Sequence, residues 1–402
     1  MSTLESWAYL SRVVEGPSRH LQALLREGRT ADEIADGVRS RAGWIGGLRA
    51  QTENRYTWDR PAEDLERAAE CGYTLLTPDS PGWPREAIDL AFTRGAAAAA
   101  HNGAVPQPDG IAPHALWVRG NPDLAGLFAN SVGVVGTRQA TQYGHTATRD
   151  LVKGLGKYRY TIVSGGAVGI DTVAHLTALD TNAPTVAVAA CGPGVAYPRS
   201  NAAMFDRIAA SGGAIVSEYP PDTTPDRHRF LTRNRLVAGL TLGTVLVEAA
   251  FRSGALNTLK WVNTFNRAAM AVPGPITDVE SLGANLAIQD NRATMVLNAD
   301  QIHEQLCGVG QVDAEGAMEA LFPASDVQRL TRNELRIYDA LPPVGRPGRE
   351  AEDIAADAGL TIGLTVHILM DLAGRGLVER ERRLWSRAER PHEEESAAVS
   401  QG

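Results

Sequence analysis

The chain has 402 residues, of which 44% are hydrophobic and 21% charged; this excludes a wholly disordered protein and gives two to four domains at roughly 100–200 residues each. A net charge of −8 and a pI near 5.7 exclude a nucleic-acid binder that is basic over its whole surface, but leave room for a local basic patch. The basic residues are 36 arginines and three lysines (Lys153, Lys157, Lys260), so a phosphate contact here is a guanidinium fork rather than a point charge.

Residues 1–75 read as a small helical module of the SAM or helix-hairpin type, with Trp7, Leu10 and Val13, then Leu21, Leu24 and Leu25, at helical spacing. Its N-terminus carries Glu5 and lacks the apolar run of a signal peptide. The pattern turns extended at 72–79. The alanine run at 96–100 and the HNGAVPQPDG that follows read as a low-complexity mobile loop. Over 115–305, strand runs at 132–135, 161–163, 185–189, 214–216, 244–247 and 269–272 alternate with helical stretches. This predicts an α/β fold with an extended Rossmann-like, doubly wound parallel sheet, in a domain over 76–310. Beyond that, a helix over 330–341, a Pro/Gly break, two helices and a hairpin predict a C-terminal winged helix over 325–388. A disordered tail is expected over 389–402. No apolar run approaches 18 residues, so no membrane span or membrane partner is expected. Cys71, Cys191 and Cys307 are far apart and form no CxxC pair. They suit a reducing cytoplasm and suggest no metal site or disulfide framework.

Five loops after strands carry candidate chemistry. Gly136-Thr137-Arg138 follows the first sheet strand, where glycine admits a close ligand and the next helix start can hold an anion. It lacks the GxGxxG spacing of a dinucleotide fingerprint, which disfavours an oxidoreductase. Ser164-Gly165-Gly166, with Gly169 and Asp171 beyond, could form an anion nest or simply a crowded turn. His175, one helical turn after Asp171, could pair with it in catalysis or serve a structural hydrogen bond. Tyr197, Arg199 and Asn201 could stack a base and hold a phosphate. Arg227, Arg229, Arg233 and Arg235 crowd nine residues with Phe230. Glu248 ends a buried strand and must pair with an arginine or cap backbone N–H groups, and Ser253-Gly254 offers another helix start. Residues 131–235 hold 11 basic and 7 acidic residues, a balance of +4 that leaves −12 for the rest of the chain.

In order, these blocks resemble the DNA-processing protein A (DprA, also called Smf) family. Its motifs appear as Gly136-Thr137-Arg138, Ser164 to Asp171, Tyr197 to Asn201, Ser217 to Pro220, Arg233-Asn234-Arg235 and Glu248 to Thr258. The resemblance implies a single-stranded DNA binder, not an enzyme and without a cofactor. It also implies a homodimer that loads the RecA recombinase onto incoming strands in natural transformation. Arg138, Arg233 and Arg235 would then line one phosphate pocket with Asn234 holding the loop, and Gly165, Gly166 and Gly169 would give backbone room. Arg199 stands where the family commonly has lysine. Val168 stands where it has arginine, which removes one positive contact. The related phosphoribohydrolases, nucleotide enzymes, are the alternative. Residues 239–248 keep their Gly-Thr and glutamate but not their paired glycines.

Overall fold

Runs of valine and alanine that must be covered on both faces call for a crossover-connected parallel sheet. In the computed structural model, which describes residues 2–101, 103, 107–307 and 325–388, those runs form such a sheet. Its strands are β1 (Tyr73–Leu76), β2 (Leu116–Gly120), β3 (Ser131–Val135), β4 (Thr161–Ser164), β5 (Thr185–Ala189), β6 (Ala214–Ser217), β7 (Gly243–Leu246), β8 (Ala268–Ala271) and β9 (Thr294–Met295). The spatial order is β1-β2-β6-β5-β4-β3-β7-β8-β9. β3 to β9 run parallel, and β1 and β2 are added antiparallel at one edge. Every residue of β3, β4, β6 and β7 is buried. The order reverses between β3 and β7, where open α/β sheets leave a crevice beyond the strand ends.

The N-terminal helices are α1 (Thr3–Val14), α2 (Arg19–Arg26), α3 (Ala31–Arg39), α4 (Gly47–Gln51) and α5 (Pro61–Glu70). Next come α6 (Arg85–Ile88), α7 (Ala96–His101) and α8 (Leu124–Ala129). The crossovers are α9 (Gln142–Gly156), α10 (Ile170–Asp180), α11 (Ala202–Ala210), α12 (Arg227–Leu240), α13 (Ala255–Thr264) and α14 (Leu282–Gln289), followed by α15 (Ala299–Leu306). Alternation along the strands divides the core. Val132 and Val134 pack with Leu151, Leu155 and Ile170 of α9 and α10. Val135 and Leu246 pack with Leu236, Leu240 and Leu259 of α12 and α13 on the other face.

The alanine run expected as a loop is instead the helix α7. Residues 102 and 104–106 lie outside the described ones. β2 and β9 were not among the expected strands. α1 to α5 do not stand apart from the sheet: Met1–Ala314 is one compact unit. Trp7, Leu10 and Val13 are packed with Leu75 of β1 and Trp117 of β2, and the Trp117 Nε1–H donates to Ser11 Oγ at 3.0 Å. The expected domain boundary at residue 75 therefore falls inside β1.

The C-terminal unit comprises α16 (Arg332–Ala340), β10 (Arg349–Glu350), α17 (Ala351–Ala358), α18 (Ile362–Gly374) and the hairpin of β11 (Val378–Glu381) and β12 (Leu384–Arg387). Its sheet order is β10-β12-β11, and Ile337, Ile354, Leu369 and Trp385 form its core. The expected tail over 389–402 lies outside the described residues. Among those described, no single helix is long and apolar enough to cross a membrane.

Candidate nucleic-acid interface

The loops after β3, β4 and β7 meet the start of α12 around a cleft of about 1010 Å³, at the reversal of strand order. Four of the five loops marked in the sequence reach it, through Gly136 to Gln139, Gly165 to Asp171, Tyr197, and Ser253-Gly254. The fourth block is not a loop but part of α12. Arg227, Phe230, Leu231 and Asn234 recur at i, i+3, i+4 and i+7 and face the cleft together.

Much of the glycine-rich backbone is already committed. Thr137 N–H donates to Glu248 O at 2.7 Å, and Thr137 Oγ1 donates to Glu280 Oε2 at 2.6 Å. The nest expected at Ser164-Gly165-Gly166 is filled from within. Gly165 N–H and Ala167 N–H donate to Asp171 Oδ2 at 3.1 and 3.4 Å, so they are not open to a phosphate. Burial pushes the Asp171 carboxyl up, against the pull of Arg233 and these N–H groups. Ser164 is fully buried and donates to Val134 O at 2.6 Å. Gly136, Gly166 and Gly169 are needed for packing: a Cβ would fall 2.5 Å from Ile170, 2.7 Å from Phe205 and 2.3 Å from Thr137 O, respectively. Gly169 also holds φ at +88°, which favours glycine.

The other expected contacts divide. Asn201 is buried and pins the loop, its Nδ2–H donating to Gly166 O at 3.1 Å and Thr172 Oγ1 at 2.8 Å, so it is no phosphate ligand. Arg199 is exposed but does not line the cleft. Arg233 does line it, from beneath. It is 5% exposed and donates to the carbonyls of Gly165, at 2.6 Å, and Val188, while burial lowers its pKa. Arg235 points elsewhere. It is fully buried, bound to Glu218 Oε1 at 2.6 Å and to Asp109 O at 2.9 Å, so it shares no pocket with Arg233. Asn234 Nδ2–H reaches Asn257 Oδ1 at 3.2 Å and so holds α12 to the start of α13. Gly254 opens α13 with free space where a Cβ would be.

What the cleft presents to solvent includes the expected Arg138 and Tyr197, joined by Arg227, Phe230 and Arg252. Arg138, Arg227 and Arg252 are exposed and have no carboxylate within 4 Å among the described residues. The three carboxylates of the cleft are each held by the chain: Asp171 by the loop, Asp226 as the cap of α12, and Glu280 by Thr137. Tyr197 packs on Phe230 with ring centroids 5.4 Å apart, and the Arg138 guanidinium lies 5.2 Å from the Phe230 centroid. Phe251, beside Arg252, is 58% exposed. An exposed tyrosine and a half-buried phenylalanine among guanidiniums without ion pairs suit a ligand with flat apolar faces and anionic links.

Neither possible catalytic group is free. Glu248 holds Thr141, the N-cap residue of α9, accepting from its backbone N–H at 3.0 Å and from its Oγ1 at 2.5 Å, and it pairs with no arginine among the described residues. Of its two expected fates, the cap is the one found. His175 is fully buried and bonded to Thr185 Oγ1 at 2.8 Å rather than to Asp171. The Thr185 hydroxyl donates to Ile162 O, so His175 Nδ1 is the donor of that bond. Burial pushes its pKa down to about 3. Between pH 6.5 and 3, unfolding therefore takes up a proton, and stability falls with falling pH, by about 1.4 kcal/mol per unit well below 6.5 for this one group. Urea unfolding of the parent and His175→Asn at pH 7.5, 6 and 5 should show a flatter pH dependence in the variant; parallel curves would contradict a buried neutral imidazole.

The family model for DNA recombination-mediator protein A matches residues 108–307. A DNA processing protein DprA of Mycobacterium tuberculosis is 40% identical over 384 residues, covering 95% of this chain and 94% of that one. Protein Smf of Escherichia coli is 34% identical over 266 residues, 66% of this chain and 69% of its own. The X-ray structure of DNA processing protein A from Streptococcus pneumoniae superposes with a TM-score of 0.60 at 27% identity, covering 77% of this chain and 99% of that one. With the family model matched over the sheet domain and 40% identity to a relative over nearly the whole length of both chains, the chain belongs to the DNA recombination-mediator protein A (DprA/Smf) family.

Proposed function

We propose that the chain binds single-stranded DNA in this cleft, without catalysis, and passes the strand to the RecA recombinase during DNA uptake and recombination. The observation that carries the reading is the cluster of Tyr197, Phe230 and Arg138, the two rings tilted against each other, flanked by Arg227 and Arg252, which hold no ion pair among the described residues. Aromatic faces are reached by unstacked bases and not by a paired duplex, while the guanidiniums track the phosphates irrespective of sequence. Gly136, Thr137 and Gly165 shape the floor, Gly169 packs behind it, Arg233 lies below, and Ser253 and Gly254 bring the strand to the start of α13. Photo-crosslinking of a thymine oligonucleotide should label peptides holding Tyr197 and Phe230; labelling confined to other peptides would overturn the placement.

The RecA step rests on family membership. Its test is whether the chain shortens the lag in RecA ATP hydrolysis on a strand coated with single-strand-binding protein; an unchanged lag refutes it. The phosphoribohydrolase alternative would need Glu248, which is engaged by the backbone N–H and hydroxyl of Thr141 at the start of α9. The free thiols suit the cytoplasm, and burial pushes Cys191 up to about 11, away from nucleophilic use. We read the C-terminal unit as a winged helix.

The homodimer reading has a surface. β9 is an open sheet edge among the described residues, and Met295 on it and Leu297 just after it are half exposed. Ile276 at 95% exposure, Val279 and Leu282 follow the neighbouring strand β8. An unpaired edge beside exposed apolar side chains is what a second copy would cover. Ile276→Asp with Met295→Lys should halve the mass seen by sedimentation; an unchanged mass would move the interface elsewhere.

A further inference from the structure

The wall of the cleft formed by residues 225–231 is tied to the N-terminal helices by a set of charged contacts. α1 ends at Glu15 in the left-handed conformation, φ +53°, a position that favours glycine because a Cβ is strained there. The carboxylate so placed sits between two arginines. Arg55 Nη1 donates to Glu15 Oε2 at 3.1 Å, while its Nε and Nη2 donate to the last carbonyls of α1, Val13 O and Val14 O, at 3.0 and 3.1 Å. From the other side, Arg229 of α12 donates to Glu15 Oε1 through both Nε, at 2.9 Å, and Nη2, at 2.6 Å. The third nitrogen of Arg229 donates to Thr224 O at 2.7 Å. One guanidinium thus fastens both the loop before α12 and its first turn to α1.

Two more ties reach the same loop. Arg12 of α1, paired with Asp64 of α5, donates to Pro221 O at 3.0 Å. Arg67 of α5 donates to Asp222 Oδ1 at 3.2 Å. Arg227, Phe230 and Leu231, which face the cleft, lie one or two residues from Arg229 on the same helix.

We infer that the N-terminal helical module is a brace for the strand-binding wall, with Glu15 as its positioning residue. The inference rests on the single-strand reading of the cleft but reaches a region to which the cleft chemistry assigns nothing. The module touches no ligand. It fixes the first turn of α12, so that Arg227 and Phe230 are already oriented when a strand arrives and less ordering is lost on binding. Linkage is reciprocal, so a bound strand in turn stabilises the module.

The test uses the full chain. Glu15→Gln removes the charge both arginines share and should weaken binding of a thymine oligonucleotide about tenfold, while Arg229→Lys, which loses the two-nitrogen contact, should weaken it similarly. A structural lesion alone would do as much, so the deciding measurement is a cycle. In the Arg227→Ala, Phe230→Ala background, Glu15→Gln should change affinity less than twofold, because there is no oriented wall left to lose. An equal loss in both backgrounds, or no loss in the parent, overturns the brace. Hydrogen exchange without DNA separates this from failure of the single-strand reading: amides of 221–231 should exchange faster in Glu15→Gln whatever the cleft binds, and unchanged exchange also overturns it.

Discussion

Replacing Arg138, Arg227 and Arg252 together by alanine is expected to lower single-strand affinity at least 100-fold near 0.1 M salt, at about 1.5 kcal/mol or more for each charge-assisted contact. The same variant should flatten the slope of log affinity against log salt by about 2, since each phosphate contact on a single strand contributes about 0.7. Stability should not move, because the three guanidiniums hold no ion pair among the described residues. The loss should be the same on thymine, cytosine and mixed strands, as phosphate contacts carry no sequence information. A fluorescence-anisotropy titration at four salt concentrations reads all of this. A loss confined to one sequence would instead mean that these arginines read bases.

The second large effect concerns stability. Arg235 and Glu218 are 0% and 1% exposed at the side chain, joined at 2.6 Å, and each keeps one buried atom without a partner. Removing one member of such a pair strands the other charge in the interior, at a cost of about 3–5 kcal/mol. Arg235→Met should therefore lower the urea midpoint sharply. Burial already pushes the Glu218 carboxyl up, and Arg235 is the main group pulling it down. Without Arg235 the carboxyl titrates higher still, so the folded variant binds a proton that the unfolded chain releases. Its stability then rises as pH falls towards 5 and is lost as pH rises through the folded pKa. Adding Glu218→Leu should recover most of the loss at neutral pH. Unfolding curves for the single and double variants at pH 5 and 7.5 check both signs.

The difference between Arg233 and Arg235 shows how far the sequence could be read. Both belong to one arginine cluster, and a cluster looks like one site. On a helix, two residues two positions apart are about 200° apart around the axis, so when one lies under the cleft the other faces away from it. Reading 227–235 as a loop concealed this. Reading it at helical period would have grouped Arg227, Phe230, Leu231 and Asn234 and named the wall of the cleft. The parallel strands were legible because burial on both faces leaves unbroken apolar runs. β2 was missed because its two neighbours come from distant parts of the chain, β1 and β6, and nothing local marks that pairing. The choice between an anion nest and a crowded turn at Ser164 stays open in the sequence for a related reason. The donors are there, but Asp171, four to six residues on, supplies the acceptor, and turn glycines do not reveal whether an N–H is free. The fate of Glu248 depended equally on a residue more than a hundred positions away, Thr141.

A net charge of −8 is compatible with the proposed binding of a polyanion because acidic and basic groups are sorted by contact rather than by composition. Arg12, Arg39, Arg41, Arg55, Arg67 and Arg229 are neutralised by carboxylates in or near the N-terminal module. Arg138, Arg227 and Arg252 at the cleft hold no ion pair among the described residues and remain available to phosphates.

The central claim is that the cleft takes an unpaired strand by stacking and phosphate contact. The most direct test is the binding of one oligonucleotide, single-stranded and as a duplex with its complement, to the full chain across 50–300 mM salt. Binding of the single strand should weaken steeply and linearly on the log–log scale, with the duplex bound far more weakly at every salt concentration. Equal affinity for the two forms, or single-strand binding indifferent to salt, would contradict it.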